Sequence, residues 1–89
     1  MPSKNLKIIN KLGLHARAAA KFVTCASRYQ ASIQISRNGQ QVDGKSIMGV
    51  MLLAASQGSM VTIDAEGPDA DDALEALEAL LNDRFGEPQ

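Results

Sequence analysis

The chain's only histidine, His15, stands two residues before an arginine in the run Gly13-Leu14-His15-Ala16-Arg17-Ala18-Ala19. A glycine lets the backbone turn sharply, and the alanine-rich residues 16–20 favour helix, so His15 is expected at a loop-to-helix junction. The first N–H groups of a helix have no partner inside it and together carry about half a positive charge, which favours an anion nearby. Arg17 adds a full charge and a bidentate donor fork. An imidazole is the side chain that changes charge near neutrality; beside an oxyanion site, the chemistry implied is acceptance of a phosphoryl group on nitrogen and its onward transfer. No second histidine or cysteine ligand accompanies His15, so neither a metal nor another cofactor is expected.

A second feature lies thirty residues on. Ile47, Met48, Val50, Met51, Leu52, Leu53 and Ala54 are apolar on every side of a helix expected over residues 47–55, more than one sheet can bury. The surplus reads as an exposed docking surface for partner proteins, with Ile47, Met48 and the adaptable Met51 as partner-binding residues. Gly49, which weakens the helix, suggests close approach of another surface. Ser46 is a good N-cap, and its hydroxyl is also placed for a regulatory phosphate at a helix start. Cys25 reads as a small packing residue.

The elements that must position these groups follow from periodicity. Leu6, Ile8 and Asn10 alternate with Lys7, Ile9 and Lys11, giving a first strand that ends at Gly13. Over residues 16–28 the positions Ala16, Ala19, Ala20, Val23 and Ala26 form the inner face of a first helix. Residues 31–37 alternate strictly, Asn38-Gly39 marks a hairpin, and residues 40–43 pair back as a third strand. After helix two, Gln57-Gly58 turns the chain into a fourth strand over residues 61–66, and Gly67-Pro68-Asp69 supplies a turn and a cap. Ala70, Ala73, Leu74, Leu77, Leu80 and Leu81 define a third helix with a solvated acidic face, and residues 84–89 are expected to fray. The order βαββαβα, with one apolar face per strand, predicts an α+β fold: an open-faced two-layer β-sandwich, its four-stranded, mostly antiparallel sheet covered on one face by three helices.

Composition narrows the function classes. Eighty-nine residues suit one domain, read as residues 1–89, and a net charge of −1 offers no basic stripe for nucleic acid. Three aromatics, Phe22, Tyr29 and Phe85, are too few for a base-stacking platform. One cysteine excludes an internal disulfide, and no apolar run approaches the roughly 20 residues of a membrane span, so a soluble cytoplasmic monomer without membrane insertion is the reading.

Gly13-Leu14-His15-Ala16-Arg17 and Gly44-Lys45-Ser46-Ile47-Met48-Gly49-Val50-Met51 resemble the active-site and regulatory-serine motifs of the histidine-containing phosphocarrier (HPr) family of the bacterial phosphoenolpyruvate-dependent sugar phosphotransferase system. The likeness covers nearly the whole chain. It implies strand order one, four, two, three; phosphorylation of His15 on Nδ1 by enzyme I; transfer to EIIA-type proteins; and Arg17 holding the phosphate. It also implies Ser46 as target of the ATP-dependent HPr kinase/phosphorylase, and Ile47, Met48 and Met51 as the patch that partners cover. Such a chain is a covalent intermediate and a substrate of other enzymes rather than an enzyme. Ala18 departs from the proline usual in the family after the arginine, and Leu52-Leu53-Ala54 from smaller, more polar residues.

Three rival readings stand beside this one. A nitrogen-branch (NPr-like) carrier shares the histidine motif but usually lacks the Lys-Ser-Ile-Met-Gly run. A phosphate-handling hydrolase would need a second acid/base group beside His15, and none is adjacent. A purely regulatory adaptor would act through Ser46 and helix two with His15 idle.

Overall fold

Alternation of apolar residues in the central strands dictates a sheet with one dry face, and that is the frame of the molecule. The computed structural model describes residues 2–89. Its elements are β1 (Ser3–Lys7), α1 (Ala16–Ala26), β2 (Ser32–Arg37), β3 (Gln40–Asp43), α2 (Ile47–Leu52), β4 (Met60–Glu66) and α3 (Ala70–Asn82), followed by a 3₁₀ turn at Arg84–Gly86. The four strands form one sheet in the order β1-β4-β2-β3, with every neighbouring pair antiparallel. Ile33, Ile35, Val61, Ile63 and Ala65 point to the helical side and are buried; Gln34, Ser36, Thr62 and Asp64 alternate with them on the open side. The fold is therefore the α+β open-faced sandwich that the pattern predicts.

The departures have local causes. The first strand runs from Ser3 to Lys7 rather than over residues 6–11. Its start was hidden because an inward position is lysine: Lys4 reaches from the edge strand to Glu78 of α3, Nζ to Oε1 2.7 Å. Its end comes early because the backbone of Ile8 bonds to the turn before β4, Ile8 N–H to Ser59 O and Gly58 N–H to Ile8 O. Helix α1 stops at Ala26, and its buried face is Ala18, Ala19, Phe22 and Ala26, whereas Ala16 is exposed. The small alanines let α1 lie close enough for Phe22 to fill the space between helix and sheet. Helix α2 ends at Leu52, not near residue 55, because Ala54 takes a left-handed φ of 50°.

Asp69 stands at the N-cap of α3 but makes no side-chain cap bond. Its carboxylate accepts from the N–H groups of Gln30 and Ala31 at 2.9 and 2.8 Å, tying the α1–β2 connection to α3. Those donors, Gln30 first, hold the carboxyl below the usual carboxylate range despite partial desolvation. The tail is not frayed. Arg84 and Phe85 both adopt φ of 55°, which swings the buried Phe85 ring back into the core, and Lys21 Nζ donates to the Phe85 carbonyl at 2.6 Å.

Phe22 is the largest fully buried side chain of α1. Phe22→Ala is expected to cost about 3–5 kcal/mol, a large share of the margin of a domain this size. A urea midpoint moved by the equivalent of less than about 1 kcal/mol would contradict that packing.

Candidate functional site

The loop before α1 sets the position of His15. Gly13 has φ of 67°, and a Cβ added there would lie 2.5 Å from the carbonyl oxygen of Ala55 and 2.9 Å from Ser56 Cα, so only glycine fits. Leu14 N–H then donates to that same Ala55 oxygen at 2.8 Å, and the Leu14 side chain is buried. These contacts brace the loop against the segment that follows α2. The next residue, His15, is the N-cap of α1 in extended conformation (φ −74°, ψ 179°); its carbonyl accepts from Ala19 N–H at 2.8 Å while its side chain makes no cap bond. The ring is thus left free of a structural capping role, and the N–H groups of Ala16, Arg17 and Ala18 lie in the first turn, where a helix has no internal acceptor for them. Ala18, fully buried, continues the helix and keeps an N–H that proline would lack.

His15 and Arg17 are brought together: both line a concavity of about 650 Å³ that also includes Lys11, Leu12, Ala16 and the tail residues Glu87, Pro88 and Gln89. Periodicity had not pointed to the tail. Glu87 Oε2 contacts His15 Nε2, and Glu87 Oε1 accepts from Asn10 Nδ2 at 2.9 Å. Asn10, fully buried, donates its second amide hydrogen to Gly13 O at 2.8 Å, and its Oδ1 finds no partner among the described residues. The main chain closes the arrangement, Lys11 N–H donating to Gln89 O at 3.0 Å. Asn10's amide first, then the His15 ring and the charge of Arg17, hold the Glu87 carboxyl below the usual carboxylate range, against a desolvation that pushes the other way. Asn10 carried a signal in the sequence, a polar residue in register with the inward Leu6 and Ile8. Glu87 carried none, because the left-handed residues before it break every periodicity.

The second candidate locus is α2. Val50 and the following Leu53 are buried, while Ile47, Met48, Met51 and Leu52 are 44, 76, 41 and 66 % exposed. The helix therefore divides its apolar residues between the core and an outward patch, as its composition required. Leu12, 67 % exposed in the loop before His15, is a further exposed apolar residue, one that no helical or strand period marks. Ser46 caps α2, its Oγ accepting from Gly49 N–H at 3.1 Å. A Cβ on Gly49 would sit 3.3 Å from that Oγ and 3.4 Å from Asp43 O, so the close approach is to the helix's own cap rather than to another surface. Lys45 is turned away from the cap, Nζ donating to Tyr29 O at 2.8 Å. Cys25 is half-buried in the groove between α1 and α3, where burial pushes its thiol up and Arg28 opposes the shift. Among the described residues no group of three or more His, Cys, Asp or Glu could hold a metal ion, and no helix is long and apolar enough to cross a membrane.

Comparison with known proteins places this geometry. Residues 2–83 match the family described as "PTS HPr component phosphorylation site". The chain is 55 % identical over 87 residues to the phosphocarrier protein HPr of Cupriavidus necator, covering 98 % of each, and 54 % identical over 88 residues to that of Pseudomonas aeruginosa, again covering 98 % of each. Among solved structures, an HPr from Thermoanaerobacter tengcongensis superposes with a TM-score of 0.96 at 44 % identity, with all of both chains covered. Fold and likeness define the class, a small phosphocarrier protein. The chain belongs to the HPr family of the phosphotransferase system.

The tail contact has a defined pH window. The folded-state affinity of Glu87 for protons lies below its ordinary value of 4.5, so its stabilisation is complete above that value and is lost as pH falls through the lower, folded one. Followed by NMR through the Lys11 amide, the tail is expected to stay docked from neutrality down to about pH 4.5 and to release only below it. Release between neutrality and that point would contradict the assignment.

Proposed function

We propose that the chain carries a phosphoryl group on His15 Nδ1 between phosphorylated enzyme I and EIIA-type proteins. One observation carries this reading: the His15 ring is not used as a cap, although it stands at the cap position, beside the first-turn amides of α1 and in one concavity with Arg17. In a transfer of this kind the Nδ1 lone pair forms the new N–P bond while the donor's bond to phosphorus takes its electron pair back. The phosphoryl oxygens that result are held by the helix N-terminus and by the guanidinium of Arg17. Nothing in the step calls for a cofactor, and turnover belongs to the partner enzymes, for which this chain is a substrate.

Ile47, Met48 and Met51 supply the apolar docking patch for enzyme I and EIIA-type proteins, their exposure supporting that role. Ser46 is the regulatory target of HPr kinase/phosphorylase: a phosphate there adds about two negative charges beside the docking patch, replaces the Gly49 cap bond with a stronger acceptor and so can alter recognition without opposing the fold. The setting is cytoplasmic and the working unit is a monomeric domain of residues 1–89. One Thermoanaerobacter tengcongensis HPr has been solved as a dimer, so sedimentation is the measurement that checks the state of this chain.

Incubation with enzyme I and phosphoenolpyruvate is expected to add one acid-labile phosphoryl group, seen by mass, that His15→Ala abolishes. Arg17→Gln is expected to retain the label while slowing transfer about 10- to 100-fold. An unlabelled wild type, or an undiminished label in His15→Ala, would overturn the reading. With HPr kinase and ATP, an acid-stable phosphate is expected on the wild type and not on Ser46→Ala; its persistence in that variant would remove Ser46 from the account.

A further inference from the structure

The ring of His15 has two nitrogens, and the tail of the chain touches one of them. We propose that Glu87 is a positioning residue for phosphoryl transfer: its carboxylate accepts the Nε2–H of His15, which leaves Nδ1 as the unprotonated nitrogen and so selects the atom that takes the phosphoryl group. This deepens the carrier reading and rests on it.

Three observations support the assignment. Glu87 Oε2 contacts Nε2 and not Nδ1. An imidazole nitrogen facing a carboxylate must carry the proton, because two acceptors cannot share a contact without one, and in the neutral ring the other nitrogen then bears the lone pair. Second, the carboxylate is itself gripped. Its other oxygen accepts from Asn10, whose two amide hydrogens go to Glu87 and to Gly13 O, and whose buried Oδ1 is left unpartnered. Turning the amide over would satisfy neither acceptor, so the chain tolerates one orphaned buried oxygen in order to aim both N–H groups. Because the same amide holds the carbonyl of Gly13, it ties the tail to the loop that places His15. Third, the Glu87 side chain is only 10 % exposed and the His15 side chain 29 %, so the contact is partly shielded from water, where a carboxylate orients a ring more strongly than it does at an open surface.

The consequence for the reaction follows by balance. With the proton already on Nε2, Nδ1 attacks phosphorus without first losing a proton. The N–P bond forms, the donor's bond to phosphorus breaks with its electron pair, and the ring acquires positive charge. Glu87 faces that charge from the far nitrogen, while the first-turn amides and Arg17, in the same concavity, are the groups available to the new phosphoryl oxygens.

The test separates this role from a structural one. In protein labelled with ¹⁵N at histidine, at a pH where the ring is neutral, the wild type is expected to show a pyridine-like Nδ1 and a slowly exchanging Nε2–H. In Glu87→Ala the two nitrogen signals are expected to converge and the Nε2 proton to exchange faster, with transfer from phosphorylated enzyme I slowed about 10-fold. Glu75→Ala, which removes an exposed carboxylate of α3, is expected to change neither. Ring signals and transfer rate both unchanged in Glu87→Ala, with the wild type still labelled on His15, would overturn the Glu87 assignment alone. A wild type that takes no label on His15 would overturn the carrier reading beneath it.

Discussion

The site depends on one close approach, that of the Gly13–Leu14 backbone to the carbonyl of Ala55, which accepts from Leu14 N–H at 2.8 Å and leaves no room for a side chain on residue 13. A side chain on residue 13 would need both a left-handed conformation, which costs an L-residue about 1–2 kcal/mol, and space already filled by backbone. With glycine there, the loop lies flat on the segment after α2, Leu14 is drawn into the core, and the next residue is forced to begin α1. The cap position of His15, the free amides beside it and the reach of Arg17 all descend from that placement. That carbonyl lies within the irregular stretch between α2 and β4, so the loop of the candidate acceptor is braced against the segment that leaves the helix of the candidate docking patch.

Charges of both signs are then gathered around the imidazole. The helix start and Arg17 contribute positive charge suited to an anion. Glu87, held below the usual carboxylate range chiefly by Asn10, provides a negative side at Nε2. A carboxylate close to an incoming phosphoryl group would repel it; placed across the ring, it can orient the nucleophile with less of that penalty. The exposed residues of α2 add no charge to this balance, which fits a division in which the loop supplies chemistry and the helix supplies contact area.

Much of this was legible in the sequence because the relevant signals are local. Alternation in residues 31–37 and 61–66, the Asn38-Gly39 turn and the spacing of Leu74, Leu77 and Leu81 each depend on near neighbours only, and each corresponds to an observed element. The heptapeptide around His15 was readable for the same reason. The parts that were not legible are those fixed by distant groups. Lys4 looks polar until Glu78 is placed opposite it. Phe22 does not stand out as an inner-face residue of α1, because alanine-rich helices give little contrast between faces. The reach of the tail depends on two successive left-handed residues, Arg84 and Phe85, neither of them glycine, a conformation that residue type gives no reason to expect. Glu87 therefore reads as a solvated tail residue until the fold brings it across 72 positions to His15.

The central claim is that the phosphoryl group rides on one particular nitrogen of one residue. It is tested most directly by ³¹P–¹⁵N coupling in the histidine-labelled protein after phosphorylation by enzyme I. The account predicts that phosphorus couples directly to Nδ1 of His15, with Nε2 retaining its proton. A direct coupling to Nε2, or phosphorus bound to an oxygen elsewhere in the chain, would contradict it.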